Sequence, residues 1–361
     1  MKSYYLWYDH TPTYLPEEVD AFASPQDVLN AMRYAELDKW SSMSPLVERT
    51  VFYGEGQYVN FGWFLLWDAD SRLRVAFRDP GSPAAEAGIE RGAEVAAING
   101  ESLAQISDEG RWSDVWGPNE EGYTLTFDVV DAGGASREVT LQKQLVQMTT
   151  VYYTDVLETT FGTVGYIVFN RFLGISEAEL RTAFERLRVA GVDDLVLDLR
   201  YNPGGLNTVA RTLGSLIASP NVVGERFLLQ DYNDQYPELD HELLFQDELS
   251  ALGLSRVVII TSLNTASASE LVINGLTPFV EVTLVGERTY GKPVGADTWS
   301  YCDWAITPIT HVSLNANDEG NYYGGFAPDC PAPDDFDHAL GDLEETRLST
   351  ALYWLEHEAC P

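Results

Sequence analysis

The chain has 361 residues, enough for two or three domains and a sizeable buried core. Its 56 acidic residues against 22 basic ones give a formal charge of −34, which argues against nucleic acid or an anionic membrane surface as partner, because phosphate binding needs a basic face. Hydrophobic residues at 45% fit a globular protein, and no run of 18 apolar residues exists to span a membrane.

The first fifty residues read as a helical segment too short for a core of its own. Ser24-Pro-Gln-Asp27 is a helix start, with Ser24 as N-cap, Pro25 in the first helical position and an acid in the first turn. The opening Met1-Lys-Ser-Tyr-Tyr-Leu-Trp-Tyr8 lacks an apolar h-region and a cleavage site, so the chain reads either as cytosolic or as one whose targeting segment has been trimmed. From about Val51 to Leu145 short strands and turns take over. Phe61-Gly-Trp-Phe-Leu-Leu-Trp67 and Leu73-Arg-Val-Ala-Phe77 flank the turn Asp68-Ala-Asp-Ser71.

From about Thr149 strands alternate with helices. Strands are expected at Gly165–Phe169, Asp194–Leu199, Arg256–Thr261, Val282–Val285 and Ala305–Thr310. Helices are expected at Ser176–Val189, Asn207–Ala218, Ser269–Leu276 and Leu343–His357. This alternation implies an α/β domain with much parallel sheet. Cys302, Cys330 and Cys360 show no C-x-x-C spacing, which argues against zinc. One disulfide with a free thiol, Cys302–Cys330 first, and three inert thiols remain open. His10, His241, His311, His338 and His357 share no metal spacing, and neither metal nor cofactor is expected.

Three motifs in the α/β region carry chemistry. Asp198-Leu-Arg-Tyr-Asn-Pro-Gly-Gly205 follows a buried strand, and its glycines leave backbone N–H groups open to a ligand. Thr265-Ala-Ser-Ala-Ser-Glu270 lies between a strand and a helix, where a serine hydroxyl is exposed and a helix N-terminus favours negative charge. Thr289-Tyr-Gly-Lys-Pro293 delivers an amine among the apolar neighbours Val285, Tyr290, Pro293 and Val294. Desolvation there would bring a lysine from about 10.4 toward the ~7–8 of a working base. A serine activated by such a lysine is an accepted variant of the Ser-His-Asp arrangement.

Asp79-Pro-Gly-Ser-Pro-Ala-Ala-Glu-Ala-Gly-Ile-Glu-Arg-Gly92 and Val95-Ala-Ala-Ile-Asn-Gly100 resemble a PDZ domain, with Ala93 where the family has an aspartate. Together with the three motifs in order, nearly the whole chain resembles the C-terminal processing, or tail-specific, peptidases. The resemblance implies a multidomain α/β protein: a helical segment at 1–50, a PDZ-like domain at 51–147 and a ClpP/crotonase-like serine peptidase core at 148–361. It makes Ser267 the nucleophile and Lys292 the general base. The N–H of Ala268, with that of Gly205 or Gly204, forms the oxyanion hole, and the stretch at Phe61-Gly62 is the carboxylate loop for a substrate tail. Ser269 is the rival serine, read as capping the next helix, and Glu270 as a first-turn acid. The glutamine that many members carry four residues after the lysine is Ala296 here, leaving Asp297, Thr298 or a carbonyl to aim the amine. Substrates are expected to be proteins or peptides with free C-termini, met in the periplasm or outside the cell. Two rival readings are a catalytically weak PDZ-like peptide binder, and a crotonase-like acyl-CoA enzyme that leaves the Ser-Lys pair unexplained.

Overall fold

The computed structural model describes residues 2–14 and 18–361. The chain forms two compact units. One comprises the residues up to Glu55, then Thr150–Pro331 and Trp354–Cys360; the other comprises Gly56–Thr149 and Ala332–Tyr353, with Pro361.

Among the described residues, the first unit is built on a six-stranded sheet whose strands neighbour one another in chain order. They are β1 (Val151–Glu158), β2 (Thr163–Phe169), β3 (Asp194–Asp198), β4 (Arg256–Thr261), β5 (Glu281–Gly286) and β6 (Cys330–Pro331). The β1–β2 pair is antiparallel and every later pair is parallel, as the strand–helix alternation predicts. Parallel neighbours need crossovers, and the helices Ser176–Ala190, Asn207–Ala218 and Ala268–Leu276 lie in those connections. Leu180, Ala183, Phe184 and Leu187 recur at helical spacing in the first of them and are all buried; Gly191 ends it at φ 72°. They pack with Ile167, Leu197, Leu213 and Ile259 into one core. The loops that leave the C-terminal ends of β3, β4 and β5 carry the three motifs, and in parallel sheets that edge is where ligands bind.

A second sheet of this unit joins His241–Leu244, Arg226–Tyr232, Ile309–Leu314 and Val294–Ala296 in antiparallel order. The expected strand Ala305–Thr310 is interrupted at Pro308, which has no N–H for a ladder. Its halves, Trp304–Thr307 and Ile309–Leu314, join different sheets.

The opening segment is less helical than its sequence suggests. Pro25–Met32 is a helix, and Ser24 Oγ accepts the Asp27 N–H at 3.2 Å. Ser42–Pro45, however, is a strand held in register by Trp304–Thr307, and the following helix Leu46–Glu55 continues past Val51. Long-range pairing overrides local propensity here. The Cys302–Cys330 pairing is also corrected: Cys330 bonds Cys360, with Cα atoms 5.4 Å apart. Cys302 sits exposed in the turn between Trp299–Tyr301 and Trp304–Thr307, while Cys330 is buried in β6.

In the second unit Trp63–Trp67, Leu73–Arg78, Glu94–Ile98, Thr124–Val130 and Ser136–Gln142 form an antiparallel sheet in that order. Its inner face buries Val75, Ile98, Phe127 and Leu141, together with Phe61 and Ile106. Trp63–Trp67 lies at one edge.

Candidate active site

Ser267 begins the helix Ala268–Leu276 at φ 56° and ψ −115°, a conformation that a residue with a Cβ rarely adopts. The turn lifts its side chain out of the β4–helix connection. Gly204 lies directly against it: a Cβ there would stand 2.7 Å from both Ala266 O and Ala268 N. Glycine at 204 is therefore a condition for the Ser267 loop to close. Ser269, the rival, is fully buried inside the helix and donates its hydroxyl to Asn202 O at 2.8 Å, so it is neither cap nor exposed nucleophile. The cap position belongs to Ser267.

Asn202 organises the glycine loop. Its Nδ2 donates to Phe169 O at 2.9 Å, and its Oδ1 accepts the Gly204 N–H at 2.9 Å. Of the two glycine donors considered, Gly204 is thereby engaged. Among the described residues, the N–H groups of Gly205 and Ala268 have no internal acceptor. Behind the loop, the buried Arg200–Asp198 ion pair at 2.8 Å and the Tyr166 hydroxyl on Asp198 at 2.8 Å hold the end of β3.

Glu270 does more than the first-turn acid it was read as. It is completely buried and accepts four donors: Thr289 Oγ1 at 2.6 Å and Gly291 N at 2.7 Å on Oε1, Ser267 N and Lys292 N at 2.9 Å each on Oε2. One oxygen thus fastens the backbone of the serine to the backbone of the lysine. The signal was present in the sequence as Ser-x-x-Glu, the spacing by which a glutamate reaches back to an N-cap N–H. Burial pushes the Glu270 pKa up, and the hydrogen bonds pull against it.

Burial lowers the Lys292 amine to about 8, against the upward pull of Asp38 and Glu270 and with a lesser downward push from Arg49. Asp38 was not singled out from the sequence. It is fully buried and accepts Tyr5 OH, Trp40 N, Ser41 N and Ser41 Oγ, so its charge is well compensated before any lysine is considered. Among the described residues the Lys292 amine makes no hydrogen bond or ion pair of its own. Asp297 is occupied by Tyr232 OH at 2.7 Å and Thr310 Oγ1 at 3.1 Å. Thr298 is occupied by Arg49 and Thr307.

Ser267, Lys292, Gly204, Gly205 and Ala296 line one cleft of about 450 Å³. Gln230 also lines it, where neither motif nor spacing pointed. Its amide Nε2 lies 3.0 Å from His311 Nε2, and His311 Nδ1 lies 3.0 Å from Thr310 Oγ1, which donates to Asp297. Since the threonine proton goes to Asp297, His311 Nδ1 must donate to it and Nε2 must accept from Gln230. Burial holds His311 neutral, lowering it to about 4. Among the described residues, the chain of bonds leaves the Gln230 side-chain oxygen as the free end.

In the second unit the Phe61 ring is buried and unavailable to a ligand, so any contact made there is through backbone. Gly62 is at φ 76°, and its carbonyl accepts Asp79 N at 2.8 Å and Ser82 Oγ at 3.1 Å. Beside the edge strand Trp63–Trp67 a notch of about 470 Å³ is lined by Leu65, Trp67, Leu73, Trp112, Ser113 and Trp116.

Residues 163–331 match the model of Peptidase family S41, and residues 1–42 that of the Peptidase S41 N-terminal domain, together more than half of the chain. A "Probable CtpA-like serine protease" of Staphylococcus aureus is 26% identical over 286 residues, 78% of this chain and 55% of that one. A "Carboxyl-terminal-processing protease" of Synechocystis is 28% identical over 245 residues, 66% of this chain and 54% of that one. The chain thus spans about half the length of the curated relatives it matches. A solved structure described as an S41 protease of Bacteroides fragilis superposes with a TM-score of 0.77 at 25% identity, covering 98% of this chain and 95% of that one. The photosystem II D1 C-terminal processing protease shares the fold, at TM-score 0.56 and 21% identity over 94% and 89% of the two chains.

Proposed function

The chain belongs to peptidase family S41, and on that premise we propose that it is a serine endopeptidase that cuts protein substrates near their C-termini through a Ser267–Lys292 dyad. The observation that carries the reading is the shared Glu270 Oε2, which ties both backbones together at the cleft their side chains line. The neutral Lys292 amine takes the Ser267 proton as Oγ attacks the scissile carbonyl. The resulting oxyanion sits between the N–H groups of Ala268 and Gly205. Lys292 then passes the proton to the leaving amine, and a water activated by the same amine hydrolyses the acyl-enzyme. The Gln230 carbonyl takes the aiming role vacated at Ala296, held in place by neutral His311. The core is ClpP/crotonase-like, and residues 51–147 act as a PDZ-like domain. A substrate tail adds to the edge strand Trp63–Trp67, its last side chain in the neighbouring notch and its carboxylate on the backbone at Gly62. The Cys330–Cys360 disulfide supports a periplasmic or extracellular location.

A fluorophosphonate probe followed by peptide mass mapping tests the catalytic part. One adduct, on Ser267, is expected, absent from Ser267→Ala; no adduct on a folded protein that still binds a peptide would favour the rival reading, a binder without turnover. Ala296 and the unpartnered amine are what motivate that rival. For the PDZ-like part, Leu65→Asp is expected to weaken peptide capture about tenfold or more, as apolar contact is replaced by charge, while probe labelling of Ser267 persists. Unchanged capture by fluorescence anisotropy would remove the notch from the binding site.

A further inference from the structure

The catalytic cleft has a charge opposite to that of the protein. In a chain with 56 acidic residues, no aspartate or glutamate lines it among the described residues, whereas Arg49, Arg171 and Lys292 do. Lys292 is accounted for by the dyad. The two arginines are not.

Arg171 follows β2, in a stretch whose backbone is pinned on all sides. Asn170 N donates to Thr150 O at 2.8 Å, Ser176 Oγ donates to Arg171 O at 2.9 Å, and Phe172 bridges Gly205, the residue whose N–H faces the oxyanion. Its side chain therefore has a fixed origin two residues of bridge away from the reacting carbonyl's place. The guanidinium stacks on Phe52 at 5.2 Å, and its Nε is buried without a hydrogen-bond partner. Among the described residues it has no ion pair either. Burial lowers its pKa, the mark of a cation held in a dry place without a counter-charge. Arg49 lies on the helix Leu46–Glu55, stacked on Tyr53 at 4.5 Å and bonded to Thr298 Oγ1 at 3.0 Å, and among the described residues it too lacks a carboxylate partner. An arginine whose buried Nε finds no partner is costly unless something arrives to satisfy it. A planar fork of N–H groups is matched by a carboxylate.

We propose that Arg171, assisted by Arg49, forms a carboxylate-binding subsite of the catalytic cleft, which takes the terminal carboxylate of a bound peptide or an aspartate or glutamate side chain close to the scissile bond. The proposal rests on the peptidase reading but is separable from it by experiment. In the full chain carrying Ser267→Ala, binding is measured by anisotropy for an alanine-rich hexapeptide with a neutral N-terminal fluorophore. It is offered as the free acid, as the carboxamide, and as carboxamides with one glutamate at each of the last four positions. At least one of the anionic peptides binds on the order of tenfold more tightly than the neutral carboxamide. That advantage disappears with Arg171→Gln, survives in part with Arg171→Lys, and shrinks as salt rises. A preference for the free acid alone identifies the terminal carboxylate; a preference for one glutamate position identifies a side chain. Equal binding of all six peptides, or an advantage that survives Arg171→Gln, overturns the subsite. Capture by the PDZ-like unit gives the latter result. Fluorophosphonate labelling of the unsubstituted chain reports separately on the dyad: absence of labelling sinks the peptidase reading, while the peptide series still decides the subsite.

Discussion

Lys292→Met is expected to lower kcat/KM by roughly 10²–10⁴-fold, the contribution of a positioned general base, and to make the protein more stable at the same time. Both effects come from one cause. Burial brings the amine to about 8, so in the folded state it releases its proton some two and a half pH units before it does in the unfolded chain. The folded protein binds fewer protons between those values, and stability rises with pH across that window. Below pH 8 the buried ammonium costs about 3 kcal/mol, and methionine, of similar length, removes that cost. The gain in Tm should be full at pH 6–7, fade above pH 8 and vanish by about pH 10.5. Activity of the unsubstituted enzyme should run in the same direction under the proposed dyad, in which the neutral amine is the base: kcat/KM is expected to climb with pH through about 8, with only about a tenth of the amine neutral at pH 7. Asp38 and Glu270 pull this midpoint up, Arg49 pushes it down, and neutral His311 adds no charge. A flat profile between pH 6 and 9, or a Lys292→Met protein less stable than its parent at pH 6.5, would contradict the assignment. Ser267→Ala should lose at least as much activity without the stability gain.

How much of this was legible before the fold was known depends on distance along the chain. The parallel strands were readable because burial on both faces writes continuous apolar runs such as Leu195–Leu197 and Val257–Ile260. The helix Asn207–Ala218 and the strand Arg256–Thr261 fall where their patterns put them. Ser267 and Lys292 could be singled out as candidates because each sits in a local motif, and the structure brings both to one cleft. Glu270 is the first-turn acid that its spacing to Ser267 announces, but its bond to Lys292 N, made 22 residues away, has no local signal. Asp38, Arg171 and Gln230 had no local signal at all. Each acquires its role from tertiary placement: a buried carboxylate under the opening segment, a cation at the end of β2, an amide on a strand of another sheet. The Cys330–Cys360 pair was missed for the same reason, because its partners meet only once the closing helix Thr346–His357 is in place.

Glu270→Gln is the second substitution with a large expected effect, although it changes only one group of atoms. All four partners of this side chain are donors: two main-chain N–H groups and a hydroxyl hydrogen from the lysine loop, and the N–H of Ser267. Thr289 Oγ1 also accepts the Phe326 N–H at 2.8 Å and has a second lone pair, so it alone of the four could turn to accept from an amide, whereas the three main-chain N–H groups can only donate. A carboxylate is acceptor-only and fits this set; an amide must place an NH₂ where an oxygen stood, against at least one main-chain N–H that has nowhere to turn. If the NH₂ replaces Oε2, the Ser267 and Lys292 loops lose the atom that joins them. If it replaces Oε1, the Thr289–Gly291 turn is pushed away and carries Lys292 with it. Disrupting a fully buried network of this kind costs about 3–5 kcal/mol of stability, and displacing a base by about 1 Å is enough for roughly a hundredfold loss of rate. The variant should therefore melt earlier and turn over at least about a hundredfold more slowly. A purely structural role would stop there. The positioning role adds a signature: Glu270 raises the Lys292 pKa, so removing its charge should move the midpoint of the residual pH–rate profile below 8 as well as lowering its plateau. Thr289→Val, which removes one donor and leaves the carboxylate charged, should cost about 1 kcal/mol and leave the midpoint where it was. If Glu270→Gln kept the midpoint of the parent enzyme, the carboxylate would be part of the scaffold and no part of the dyad's electrostatics.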